Sequence, residues 1–500
     1  MGLIFETATP APLTSPARAD VACFVGFIQR RPAGVPAGAG EADLLLPVVV
    51  DGWNAFDALF DWAARPVSTA EASGLCATWL GAAVRSFFAA GGRRAVIVRC
   101  GDPAPLLADQ ALDDATRAQR LRALLGNAVP WSPLEPAAWR GLAHLFGLDE
   151  PAMVCLPDLP ELYAATPARA PLLPDEVAAP EGFVECSDND VAAPAPLLLR
   201  RLRAPALDVA GLKRWSAAVG EVAGFLSRWR RDCLFVGALP LCRGDDAGEA
   251  ARQAQGARLD PLAWLDAAEP APQGGLPARD ARSAFVQLGW PWLRTPWSAD
   301  LPQGLEPPDG LLAGHVAASA LAQGCYRSAA GRAAPVLDAE PVPALGGGAS
   351  SPWEQFSRRV CLFAPGAGAW TLVSDATTAR DAAWRTGAVS RLMASVLRAA
   401  RAVGQEQLFD ANGPATWAAV RRAMESLLRD YWAAGGLQGA TADDAFVVRC
   451  GPQTMTRADL DSGRLRVEVA LVPAASVERI TVVLALGDAA RGAVPATELA

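Results

Sequence analysis

The sequence predicts a mixed α/β protein, a layered α/β portion followed by a smaller α+β unit. Three observations predict it. Short apolar runs bounded by Gly and Pro alternate with helix-spaced segments through the first two thirds of the chain. A glycine-rich break, GGGAS at 346–350, follows a Pro-containing stretch and marks a domain boundary. Beyond it, two helix-patterned segments are followed by three strand-patterned ones. With 500 residues, 51% of them hydrophobic and 16 of them Trp, the chain buries real cores and is not disordered as a whole.

Residues 1–20 read as an arm: an apolar tip of Leu3, Ile4 and Phe5 precedes Pro, Thr and Ser that cannot pack alone. The outer α/β domain is expected over 21–345. VACFVGFI from Val21, LLLPVVV at 44–50 and AVIVRC at 95–100 read as buried strands, with helical spacing at 53–62 and 74–88 between them. The alternation continues through AMVCLPDLP at 152–160, a long helix at 209–229, DCLFVGALP at 232–240 and AFVQLGWPWL at 284–293. Segments 160–206 and 241–282 lack periodicity and read as surface excursions.

A second unit is expected over 350–486, with a loose tail at 487–500. Its helices are placed at 381–403 and 415–432, separated by Asn412-Gly413-Pro414. In the latter, Trp417, Val420, Met424, Leu427 and Tyr431 recur every three or four residues, an amphipathic face. Strands are expected at 445–450, 464–472 and 479–486. In the middle one Leu465, Val467, Val469 and Leu471 alternate with Arg464, Arg466 and Glu468; in the last, Ile480, Val482, Leu484 and Leu486 share a face.

No catalytic, cofactor or metal site is assigned. A net charge of −8 argues against a nucleic-acid coat. The 10 cysteines are scattered singly in apolar runs and read as reduced core residues, while two histidines and no CxxC pair make zinc improbable. The absence of a signal pattern or an uninterrupted apolar span predicts a cytosolic product with no membrane insertion. Lys213, the single lysine, lies in a helix and completes no P-loop, and the glycines at 38–40, 91–92 and 366–368 complete no dinucleotide motif. His144 and His315 sit among apolar neighbours and read as packed residues. Asp443-Asp444, Asp459 and Asp461 read as turn and helix-start residues, and Trp290, Trp292 and Trp297 as a core plug. The arginine groups 200, 201, 203 and 228, 230, 231 read as solvated faces or subunit salt bridges.

The stretch WAAVRRAMESLLRDYWAAGGLQGATADDAFVVRCGPQTMTRADLDSGRLRVEVALVP resembles the C-terminal domain of contractile tail sheath proteins, found in phage tails and related injection systems. Trp417, Trp432, Gly436, Gln438, Gly439, Phe446, Asp461 and Gly463 fall where that family places its motif. Segments 83–100, 285–296 and 307–331 are similar too, and put His315 in a structural motif. The opening MGLIFETATPAPL, the region 360–378 and the segment 473–478 depart from the family pattern.

The resemblance implies a non-enzymatic subunit that polymerises helically around an inner tube and contracts, with sheets completed by arms of adjacent copies. The strand candidates are Leu3, Ile4 and Phe5 at one end and Ile480, Val482, Leu484 and Leu486 at the other. Implied partners are further copies, the tube protein, baseplate and terminator or cap proteins, and other sheath paralogues. The alternative within the family is a minor sheath-like paralogue that initiates, caps or adapts the cylinder. An α/β enzyme and a monomeric binding module using the Trp-rich 290–297 segment are the rivals from other classes.

Overall fold

A computed structural model describes residues 18–32, 43–68, 73–107, 112–126, 131–164, 202–242, 281–341, 356–366, 368–407 and 410–474, single residues at 35, 40 and 199, and the backbone of 480–486. The 1–17 arm, the 346–350 break, the 487–500 tail and most of both surface excursions lie outside the described residues.

A nine-stranded sheet organises the molecule. Its strands are β1 (Ala22–Gly26), β2 (Val48–Val50), β3 (Ala95–Arg99), β4 (Met153–Cys155), β5 (Leu234–Ala238), β6 (Val286–Trp290), β7 (Ala333–Ala334), β8 (Cys361–Pro365) and β9 (Trp370–Leu372). Their spatial order is β7-β9-β8-β6-β5-β4-β1-β3-β2. The six strands from β8 to β3 are parallel, and antiparallel strands flank them on both sides. In chain order the parallel set reads 2-1-3-4-5-6, a doubly wound arrangement. β1, β3, β5 and β6 are buried at every residue, because helices cover both faces of such a sheet and leave no solvated side for polar alternation.

The helices are α1 (Trp53–Leu59), α2 (Trp79–Ala89), α3 (Asp114–Leu125), α4 (Val209–Trp229), α5 (Asp309–Gln323), α6 (Gly387–Glu406) and α7 (Pro414–Ala433). The helix expected from residue 74 starts at Trp79, since the Thr78 side chain accepts the Gly81 N–H and Ser73–Cys76 is extended. α4 spans the expected residues, capped by Asp208. α2 and α5 touch through small residues. A Cβ at Gly310 would lie 2.2 Å from the Ala83 carbonyl, and one at Gly314 2.6 Å from that of Phe87.

The sheet continues past the expected 346–350 boundary. β8 runs parallel to β6, and β9 folds back on β8, so residues 361–372 belong to the large sheet. The apolar run VCLF is buried as a strand beside β6, where it has a partner on one side and the hairpin strand β9 on the other.

Candidate assembly site: the C-terminal sheet and its anchorage

Three strands after α7 form a separate antiparallel sheet in the order β10 (Phe446–Cys450), β11 (Leu465–Leu471), β12 (Ile480–Leu486). Period-2 alternation sets the register. Phe446, Val448 and Cys450 stand opposite Leu471, Val469 and Val467, and all six are buried. Val420, Met424, Leu428 and Tyr431 form the buried face of α7, which packs on β10; Leu428 replaces the expected Leu427 there. On the other face Arg449 stands opposite Glu468. β12 pairs with β11 over seven positions, setting Ile480, Val482, Leu484 and Leu486 opposite Leu471, Val469, Val467 and Leu465. In this single chain the last strand therefore closes on its own sheet, and β10 and β12 are the outer strands among the described residues. Leu3, Ile4 and Phe5 lie outside the described residues.

The motif residues build the frame of this sheet. Trp417 donates its indole N–H to Asn412 at 2.7 Å and Trp432 donates to the Gly439 carbonyl at 3.1 Å. Gly439 is needed for close approach, since a Cβ there would sit 2.7 Å from the Ala445 nitrogen, and one at Gly436 would meet the Tyr326 ring at 3.0 Å. The Gln438 N–H bonds the Val472 carbonyl, continuing the ladder beyond β11. Asp461 is exposed at the end of the short helix Arg457–Asp461, and Gly463 turns the chain into β11 with φ +68°. Asp444 and Asp459 complete capping boxes with Thr441 and Thr456. Phe446 is buried at the start of β10.

α6 joins this unit to the large sheet through buried ion pairs. Asp375 receives Arg391 at 2.8 and 2.5 Å, the Gln287 amide at 2.8 Å and the Ala329 N–H at 2.8 Å. Burial pushes against charge on Asp375, yet Arg391 and these donors hold its carboxyl below the usual range. Asp232, just before β5, receives Arg230 and Arg401 at 3.0 Å each, and its backbone carbonyl accepts Arg398. Toward α7, the Ser395 and Tyr431 hydroxyls lie 2.6 Å apart.

Arg230 corrects the expectation of a solvated or intersubunit arginine. It is 4% exposed and donates to the Leu145 and Leu148 carbonyls as well as to Asp232. The residue ends α4, where the chain turns inward, so its charge meets carbonyls left open by the 141–147 turn. Nothing in the Arg228-Trp229-Arg230-Arg231 string distinguishes the inward arginine from its neighbours. The signal available was Asp232 two residues on, immediately before an apolar run.

The remaining candidates pack inside. Trp290 and Trp292 are buried, and Trp297 bonds the Ser86 hydroxyl at 2.7 Å. Burial brings His144 and His315 down to about 4, and neither His315 ring nitrogen has a hydrogen-bond partner. The crevice outside the carboxyl ends of β1 and β4 is where this strand order takes ligands in other proteins. Here the chain fills it. Asp158 reaches over Gly26 to accept the Phe27 N–H at 2.9 Å, Arg65 pairs with Glu161 at 2.7 Å, and a space of about 10 Å³ remains. Among the described residues no group of three or more His, Cys, Asp or Glu side chains could hold a metal ion, and no helix is long and apolar enough to cross a membrane.

The mixed α/β fold with its large sheet matches that of solved contractile-sheath chains. The chain superposes on one from the helical sheath of the anti-feeding prophage (AFP) in its contracted state, with TM-score 0.53, 18% identity and 96% of each chain covered. A chain of the six-fold symmetrised AFP baseplate gives 0.54, 17% and 96% of each. A chain of the contracted PVC sheath complex of an extracellular contractile injection system gives 0.51 and 17%, covering 95% of this chain and 93% of that one. No protein-family model and no curated protein matches the chain.

Proposed function

We propose that this protein is the structural subunit of a contractile sheath, polymerising helically around an inner tube and shortening to drive it through a target envelope. The observation that carries the proposal is the full-length likeness to chains of two contracted sheaths. The role is mechanical and not enzymatic; baseplate and terminator or cap proteins would hold the ends. Assembly uses terminal strands. The seven-position pairing of β12 on β11 is made of backbone hydrogen bonds and an apolar register, both of which an identical segment from a neighbouring copy reproduces. Exchange therefore conserves the contacts and costs little beyond ordering the connection. The Leu3-Ile4-Phe5 arm would add to an outer strand of the same sheet. The division between an outer layer and this assembly unit falls after residue 372 in this reading, with 1–20 serving the assembly unit.

Deleting residues 1–12 or 479–500 should leave a folded chain that forms no cylinders, as judged by circular dichroism and negative-stain microscopy, while the full chain forms hollow tubes. Cylinders from both truncated chains would overturn strand exchange. A full-length chain that stays monomeric at high concentration, even beside its tube protein, would overturn the sheath assignment.

A further inference from the structure

Two carboxyl groups between the strand Trp292–Arg294 and α5 are fully buried, and among the described residues no Arg, Lys or His forms an ion pair with either. Glu306 is fixed by reciprocal backbone hydrogen bonds to Leu293, at 3.0 and 2.8 Å. Its two carboxyl oxygens lie 2.8 and 2.9 Å from the Ser86 hydroxyl of α2, whose oxygen already accepts the Trp297 indole N–H. The Thr295 hydroxyl also faces this carboxyl, so its side-chain donors are neutral hydroxyls and none brings a positive charge. A neutral acid here avoids a fully buried charge with no cation paired to it. Asp309 opens α5; one oxygen accepts the Gly310 N–H at 2.9 Å and the other, Oδ2, has no hydrogen-bond partner. With a single backbone donor and no cation paired to it, an ionised carboxylate here would be a buried charge without compensation.

The charged and titratable neighbours do not supply compensation. Glu306 faces Asp309 and Arg85, and Arg85 is spread over the Trp53 and Trp62 rings at 5.1 and 5.3 Å. Asp309 faces Asp158, and Cys155 lies on the adjoining strand. Burial, opposed by the Ser86 and Thr295 bonds for Glu306 and the Gly310 bond for Asp309, pushes both groups up to about 8. The site cannot relax by sliding α5, because Gly310 and Gly314 already hold it against Ala83 and Phe87 of α2.

We propose that Glu306 and Asp309 form a proton-dependent lock, held as neutral acids in the folded subunit, whose ionisation in mildly alkaline solution parts the Trp297 segment and the start of α5 from α2. The sign follows from the proton count. The unfolded chain loses these protons near pH 4 and the folded chain keeps them to about 8, so stability declines across that window and levels off above it.

The test uses full-length protein, with thermal melts and tryptophan emission recorded between about pH 5 and pH 9. The expected result is a wild-type Tm that falls by about 5 °C or more across the window, with an emission change near pH 8. E306Q/D309N should show a clearly smaller fall over the same range and exceed wild type at pH 8; the slope that remains belongs to Asp158, pushed up to about 7, and to the two buried histidines. Superimposable pH profiles for the two proteins, or a flat wild-type profile, would overturn the lock. If the double variant does not fold, infrared spectroscopy of wild type decides: a protonated-carboxyl band present at neutral pH and lost near pH 8 supports the proposal, and its absence at neutral pH refutes it.

Discussion

Asp375 shows how one carboxylate ties distant parts of the chain together. It gathers Arg391 from α6, Gln287 from β6 and the Ala329 N–H around a fully desolvated charge. Removing one partner of such a cluster leaves the other unpaired, so R391M should lower unfolding stability by about 3–5 kcal/mol in a urea titration. Because Asp375 is held below its unfolded value, its contribution is present above about pH 4 and drains as pH falls below it. Melts below about pH 4 should therefore lose stability more steeply in wild type than in D375N. Gly26 is a second such point: the Asp158 carboxylate oxygen lies 2.1 Å from where a Cβ would stand, so G26A should cost about 1–3 kcal/mol and weaken the Phe27 contact. Individual burial was partly legible in the sequence. Trp290, Trp292 and both histidines lay in apolar runs and are buried, whereas Arg230 read like its neighbours because its partners include carbonyls distant in sequence.

At the scale of elements, short capped helices frame the assembly sheet. Thr441 and Thr456 each satisfy a first-turn N–H while Asp444 and Asp459 reach back to them. T441A and T456A should each cost about 1 kcal/mol, read as a lowered denaturation midpoint, and T456A should loosen the entry to β11 as seen by faster amide exchange there. Strands were the most legible elements, since a buried parallel strand leaves a continuous apolar run and a half-exposed one leaves alternation. α5 was not read as a helix. Its sequence, DGLLAGHVAASALAQ, is small and apolar all round, because both α2 and the sheet pack against it and no polar face marks the period. The expected boundary at 346–350 misjudged the sheet for a related reason: a Gly-rich connection looks alike whether it leaves a domain or crosses between strands of one sheet.

At the scale of the whole molecule, the candidate site was legible as three strands and a helix, while the pairing partner of the last strand was not, because backbone edges carry no address in side-chain pattern. The large sheet and the assembly sheet are bridged by α6, held at one end by Asp375 and further along by Asp232, with Ser395 linking it to α7. D232N should spare the C-terminal sheet but lower the temperature at which amides of α6 begin to exchange, a local effect that hydrogen-exchange mass spectrometry resolves from global unfolding.

The crevice at the carboxyl ends of β1 and β4 is closed by Asp158, Arg65 and Glu161. A pull on β12 would be carried toward the large sheet through α6, whose Arg391, Arg398 and Arg401 grip Asp375 and Asp232.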